Sequence, residues 1–313
     1  MSARPLRVLT HIPLQLLGQV ARELPEVELI FVPMQGEPSA GVTGEVLLTH
    51  AKGSPNLERV VSRGVRWVHT YGTGVNDFPF EALGERPLTC SRGASAGPIA
   101  EWVLAMLLAA EKRLPETWIH EPPAHWSIAS LGGLRGRTLG LVGLGGIGAA
   151  VARLAQAFGM RVLACRRSDA PSPVAGVETL RELGPLLAAA DHLVLAAPAT
   201  RATRHLIDAR ALAAAKPGLH LVNVARGELV DHEALRAALD AGSIGLASLD
   251  CVEPEPLPAG HWLYTHPRVR LSPHISWSAP GALGELALPF VENLKRYLAG
   301  EPLAGLVDVE AGY

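Results

Sequence analysis

Aromatic side chains are scarce, at 5% of the residues, and the three cysteines, Cys90, Cys165 and Cys251, stand far apart in the chain. Isolated cysteines exclude a disulfide framework and a Cys-x-x-Cys cluster, and they fit a reducing, cytoplasmic setting. There are twelve histidines, but no His-x-x-x-His pair comes with a third ligand, so no metal site is expected. An excess of charge of one sign is also lacking. The 28 Lys and Arg nearly balance the 30 Asp and Glu, for a net charge of −2, with no basic face, so nucleic-acid binding is not expected. No apolar run reaches the roughly 20 residues of a membrane span; Trp102–Ala110 stops at Glu111-Lys112-Arg113. The first residues lack the apolar core of a signal peptide, so export is not expected.

What is present is a chain of 313 residues, 48% hydrophobic, which suits two domains of ordinary size. Short apolar strands alternate with helical stretches, the pattern of a parallel α/β protein. Strands are expected at Arg7–Thr10, Glu28–Val32, Glu45–Thr49 and Arg66–Thr70, with helices at Leu14–Leu24 and Leu57–Arg63. A long helix from about Gly97 to Leu114 follows, bounded by Pro98 and Pro115, and then a loop-like stretch to Leu134. A second block begins with strands at Thr138–Val142, Arg161–Ala164, His192–Ala196, Leu219–Val224, Gly245–Leu249 and Val269–Leu271. Six strands complete a dinucleotide-binding sheet. The last helix, about Gly281–Ala299, has no further strand to serve and is expected to return to the first domain. The division is then 1–98 with 281–313 for one domain and 99–280 for the other.

Gly143-Leu-Gly-Gly-Ile-Gly148 is a G-x-G-x-x-G string. Alone it is weak among 32 glycines, but a strand precedes it and an Ala-rich helix follows. In that setting Gly143 makes the tight turn, and Gly145 admits a pyrophosphate against the backbone. Gly148 permits close packing, while Gly146 and Ile147 open a helix whose free N–H groups favour phosphate. At the end of the next strand stand Arg166, Arg167 and Ser168 rather than the carboxylate that would bond an adenine ribose. An arginine pair and a serine suit a 2′-phosphate. NADP(H) is therefore favoured, with NAD(H) the alternative if Arg166 only stacks on the adenine.

Reducing a keto acid needs a cation, a proton donor and a group that keeps the donor protonated. Leu221–Gly227 ends a hydrophobic strand in Arg226, a charge that calls for an anionic partner. Leu249–Leu257 carries Asp250, Glu253 and Glu255 among prolines, and Ser272-Pro-His274 ends the last strand. A carboxylate facing His274 would keep it charged near neutral pH.

These motifs resemble the D-isomer-specific 2-hydroxyacid dehydrogenase family, and in particular its glyoxylate/hydroxypyruvate reductase-like members. The likeness runs through Gly72–Asn76, Ala100–Leu104, the glycine loop, Asn223-Val-Ala-Arg-Gly227, Asp250 to Leu257, Ser272-Pro-His274 and Phe290–Leu303. It implies a Rossmann cofactor domain inserted in a flavodoxin-like substrate domain, both doubly wound parallel sheets. It also implies a homodimer acting on a small 2-oxo/2-hydroxy acid. Arg226 would bind the substrate carboxylate and carbonyl, His274 would be the general acid/base, and Glu255 would be its partner, with Glu253 as the competitor. Asp250 would face the nicotinamide carboxamide, Pro198, Thr200 and Ala225 would line the cofactor cleft, and the backbone of Thr73 and Gly74 would hold the substrate carboxylate.

The chain departs from the family where Asp-Val-Phe often stands, with Asp250-Cys-Val, and after the histidine's Ile, with Ser276-Trp277. Trp126, Trp277 and Tyr71 are candidates for pocket walls or for packing. Helix Ile99–Ala110 is a candidate dimer contact, although its periodicity equally fits a core helix. Glyoxylate or hydroxypyruvate reduction is preferred over phosphoglycerate oxidation because the chain ends at Tyr313 without a further regulatory domain. The rival reading is a non-catalytic dinucleotide sensor on the same fold; a methyltransferase would leave Arg226, Glu255 and His274 without a task.

Overall fold

The computed structural model describes residues 4–167 and 170–313, which form two compact units. The first comprises residues 4–95 and 279–313. Its strands are β1 (Leu6–Thr10), β2 (Val27–Phe31), β3 (Val46–His50), β4 (Trp67–Tyr71) and β5 (Leu88–Cys90). All pair in parallel, in the order β2-β1-β3-β4-β5, the flavodoxin-like arrangement. Strands β3 and β4 are almost wholly buried, as inner strands of a parallel sheet covered on both faces are.

The returning C-terminal segment forms two helices, Ala282–Glu285 and Leu288–Ala299, where one was expected. Pro289 restarts the helix in its first turn. Phe290, Val291 and Leu294 join the core under Trp67, with the Phe290 ring 5.6 Å from the indole. The expected helix Leu14–Leu24 is likewise divided, into a 3-10 turn at Leu14–Leu17 and an α-helix at Gly18–Glu23.

The second unit covers residues 96–278, of which 168 and 169 lie outside the described residues. Its strands are β6 (Thr138–Val142), β7 (Arg161–Cys165), β8 (Glu178–Leu180), β9 (His192–Leu195), β10 (Leu219–Asn223), β11 (Ile244–Leu249) and β12 (Val269–Leu271). The order is β12-β11-β10-β9-β6-β7-β8, all parallel. That is a Rossmann sheet with a seventh strand, reversing direction of winding between β6 and β9. The expected six strands lacked β8, a three-residue edge strand whose residues are largely exposed and give no apolar pattern. Strand β5 escaped notice for a different reason: it is buried but only three residues long.

Helix Ala96–Lys112 settles into the core. Ile99, Ala100, Val103, Leu104 and Leu107 pack with the β6 and β7 side chains and with helix Gly146–Ala157. One face of Ile99–Ala110 is thus a core face, as one of its two readings had it, while Trp102, Ala105, Met106 and Ala109 on the other face are only partly buried or exposed. No helix among the described residues is long and apolar enough to cross a membrane.

Candidate active site

Ligands of an open parallel sheet gather outside the carboxyl ends of the strands, near the point of reversal. In the second unit the loops at those ends are Gly143–Gly145, Ala196–Thr200, Val224–Gly227, Asp250–Leu257 and Ser272–Trp277, after β6, β9, β10, β11 and β12. They carry almost every residue singled out in that half of the chain.

The loop after β6 is built for close approach. Gly143 has φ +95°, and a Cβ there would lie 2.8 Å from the Ala196 carbonyl oxygen. A Cβ at Gly148 would collide with the Gly143 carbonyl. Gly145 differs: it is exposed, a Cβ on it would meet nothing within 4 Å, and it stands at the N-cap of helix Gly146–Ala157 with no side-chain cap. The first amides of that helix, at Gly146, Ile147 and Gly148, have no acceptor one turn back. Open space, bare backbone and a helix N-terminus together fit a dinucleotide pyrophosphate.

The Arg166 backbone N–H bonds Leu180, and its guanidinium donates to the Pro171 carbonyl at 3.4 Å. Arg167 is exposed, and its carbonyl accepts from Arg181. Ser168 lies outside the described residues. After β9, Thr203 Oγ1 donates to the Pro198 carbonyl (2.7 Å) and accepts from the Thr200 N–H (2.8 Å), which fixes that turn.

The end of β10 is held by a residue that the sequence reading did not single out. Asn223 is fully buried; its side-chain amide donates to the Arg226 carbonyl (2.8 Å), and its Oδ1 accepts from the Ala225 N–H (3.0 Å). The turn is thereby fixed, and Arg226 leaves the strand half-buried with Nη1 donating to the Ala225 carbonyl at 2.6 Å. The fixed offset from Asn223 to Arg226 was the available signal. Gly227 follows because a Cβ there would collide with the Val252–Glu253 peptide, so the loops after β10 and β11 touch at this point.

Asp250, 1% exposed at the end of β11, organises the turn that carries the histidine. Its carboxylate accepts from Ser272 Oγ (2.6 Å) and from the N–H groups of Ile275 and Ser276 (2.9 Å each), while its carbonyl accepts from the His274 N–H (3.0 Å). His274 itself has φ +56°, a left-handed conformation uncommon for a residue with a Cβ. The indole N–H of Trp277 donates to the His274 carbonyl at 3.0 Å and adds to the constraint.

The two glutamates of the β11 loop part company. Glu255 Oε2 lies 2.7 Å from His274 Nδ1, and its Oε1 accepts from the Val252 N–H at 3.0 Å. Glu253 turns to Arg204, at 3.0 Å. Partial burial works to raise the Glu255 pKa, but its bonds from His274 and Val252 and the charges of His274 and Arg226 hold it below the ordinary carboxylate value. The pair can therefore keep a negative charge beside the imidazole well into mildly acidic solution.

The remaining candidates lie elsewhere. Thr73 and Gly74 belong to the first unit, where Thr73 Oγ1 donates to the Ser91 carbonyl at 3.1 Å. Tyr71, in the same unit, donates its hydroxyl to the Leu283 carbonyl. Trp126 is largely exposed, in the stretch between Lys112 and β6.

A Rossmann sheet with a glycine loop and a histidine–carboxylate pair at its strand ends describes a nicotinamide-dependent oxidoreductase, and comparison with known proteins narrows that class. The sequence profile of the D-isomer specific 2-hydroxyacid dehydrogenase NAD binding domain matches residues 104–276. The chain belongs to this family of NAD(P)-dependent 2-hydroxyacid dehydrogenases. It is 35% identical over 257 residues to a glyoxylate reductase of Korarchaeum cryptofilum, covering 79% of this chain and 77% of that protein. It is 38% identical over 295 residues to a D-3-phosphoglycerate dehydrogenase of Mycobacterium bovis; the match takes in 92% of this chain but only 52% of that longer protein. The crystal structure of an NADPH-dependent glyoxylate/hydroxypyruvate reductase from Sinorhizobium meliloti, in complex with NADP and sulfate, superposes with a TM-score of 0.82 at 27% identity. That alignment covers 98% of this chain and all of the other.

Proposed function

We propose that this enzyme reduces a small 2-oxo acid, glyoxylate or hydroxypyruvate, at the expense of NADPH. The observation that carries the reading is the 2.7 Å contact between Glu255 and His274 on the loops that close the Rossmann sheet. A histidine held against a carboxylate is a proton donor poised for a carbonyl oxygen.

The chain's own residues divide the work. Arg226 binds the substrate carboxylate and stabilises the charge that develops on the carbonyl oxygen. His274 gives that oxygen its proton and takes it back in the reverse direction. Glu255 stabilises the charged imidazole and fixes which nitrogen faces the substrate. Gly143, Gly145, Gly146, Ile147 and Gly148 hold the pyrophosphate, while Pro198, Thr200, Ala225 and Asp250 serve the nicotinamide end. Bound there, the dinucleotide supplies the electron pair for C2 of the acid. Arg166 and Arg167, with Ser168, meet the 2′-phosphate, since cationic donors come first after β7 and no carboxylate stands before Asp169. The likeness to an NADPH-dependent reductase supports this preference.

The reading includes a homodimer. Trp118, Ile119, Trp126, Ile128 and Leu131 are exposed apolar side chains on the stretch between Lys112 and β6, which a second copy would cover. The three free cysteines suit a cytoplasmic setting.

A panel of 2-oxo and 2-hydroxy acids with both cofactors tests the assignment. Glyoxylate or hydroxypyruvate with NADPH should give the highest kcat/KM, and Arg166→Ala should erase the margin of NADPH over NADH. A preference for NADH in the unaltered enzyme would overturn the cofactor reading, and a preference for 3-phosphoglycerate would overturn the substrate reading.

A further inference from the structure

Cys251 stands immediately after Asp250, at a position which neither the cofactor nor the substrate reading uses. It is 1% exposed, and its Sγ lies with a His274 ring nitrogen and a Glu255 carboxylate oxygen so that all three atoms fall within 4.8 Å of one another. No metal motif is visible in the spacing, because Cys251 and Glu255 share one loop but His274 arrives from the end of the next strand.

We infer that Cys251, Glu255 and His274 form a site for a thiophilic divalent cation, zinc above all, which competes with the proton held by the histidine–glutamate pair. Thiolate, imidazole and carboxylate are the donors zinc prefers, and three protein ligands with a fourth position open to water is a common arrangement for it. Bonds of about 2.0–2.3 Å place tetrahedral ligand atoms roughly 3.3–3.8 Å apart. To reach that spacing the 2.7 Å His274–Glu255 contact must open, while no pair of the three atoms starts more than 4.8 Å apart. The access is suitable. Glu255 and His274 expose 38% and 39% of their side chains and receive the ion from solvent, while Cys251 forms the floor.

Burial pushes the Cys251 thiol well above its ordinary pKa, so without a cation it is an inert neutral group. Coordination displaces the thiol proton to solvent, together with the imidazolium proton when His274 is charged; no electron changes hands. Coordination opens the hydrogen bond between His274 and Glu255, so the proposed proton donor is without its partner until the ion leaves. Binding of the ion does not depend on the proposed reaction, but its effect on turnover does.

Cobalt(II) titrated into the chelator-treated full chain reports a thiolate ligand through near-ultraviolet charge-transfer absorption. The wild type should show this band, and zinc should abolish it by displacement. Cys251→Ser and Cys251→Val, checked for folding by circular dichroism, should lack the band and bind cobalt at least ~10-fold more weakly, the loss seen even for partners outside the ligand shell. Should neither variant fold, half-exposed His274→Ala decides, through the same fall in affinity. Zinc should block turnover and a chelator restore it. A wild type that binds no cobalt, or a band that survives in Cys251→Val or an affinity that survives in His274→Ala, would overturn the inference. A wild type with the band but no reductase activity would count against the proposed reaction alone.

Discussion

Glu253 and Glu255 lie two residues apart on one loop, and only Glu255 meets the histidine. A carboxylate partner favours the charged imidazole. Glu255→Gln should therefore lower kcat for reduction about tenfold or more and abolish the acid limb of the pH–rate profile, since the imidazole loses its partner. The acid side follows from the low pKa of Glu255: its charge is complete above the ordinary carboxylate range and is lost only as pH falls through its lowered value. Glu253→Gln, which breaks an exposed ion pair with Arg204, should leave the profile in place. A profile that moved with Glu253→Gln and not with Glu255→Gln would exchange their roles. The choice of Glu255 was legible from its place before Pro256-Leu257. The Glu253–Arg204 pair was not, because Arg204 arrives from the segment after β9 and only the fold brings it near.

At the scale of elements, the site depends on neighbouring loops that fit each other. Asn223 fixes the turn after β10, Gly227 lets it touch the β11 loop, and Asp250 ties the β11 loop to the turn after β12. Gly227→Ala should force the Val252–Glu253 peptide to move, cost about 1–3 kcal/mol of stability, and lower kcat by displacing Glu255. Urea unfolding and steady-state kinetics measure both, and an unchanged denaturation midpoint would refute the close fit. The strands that carry these loops were legible as apolar runs; β8 was not, being short and exposed, and neither were the breaks at Gly18 and Pro289. The inner tasks of Asn223 and Asp250 were hidden because a hydrogen bond between loops leaves no periodicity in a sequence.

Across the whole molecule, both units keep neutral histidines inside. Burial lowers His11 to about 4 and His69 to about 3, His11 with added repulsion from His50; in the second unit burial lowers His192 and takes His220 well below its ordinary value. The unfolded chain takes up these protons near pH 6.5, whereas the folded chain refuses them until much lower pH. Stability should then be steady above about pH 6.5 and fall below it, each such group contributing ~1.4 kcal/mol per pH unit until its folded value is reached. A thermal midpoint that did not fall between pH 7 and pH 5 would contradict this. Ser272-Pro-His274 marked one of the twelve histidines in the sequence, but nothing there marked these four, because burial and its partners come from tertiary packing. The parallel α/β class of both units and the insertion of one fold in the other could be read from the alternation and the family motifs together.

The central claim is that His274 passes a proton while the dinucleotide passes the electron pair, and one comparison reaches it directly. Initial rates of NADPH oxidation with glyoxylate are measured for the wild type and His274→Ala, with NADPH binding followed by fluorescence. The account predicts turnover in the wild type, a loss of about 100-fold or more in the variant, and nearly unchanged NADPH affinity. Wild-type turnover from His274→Ala would contradict it.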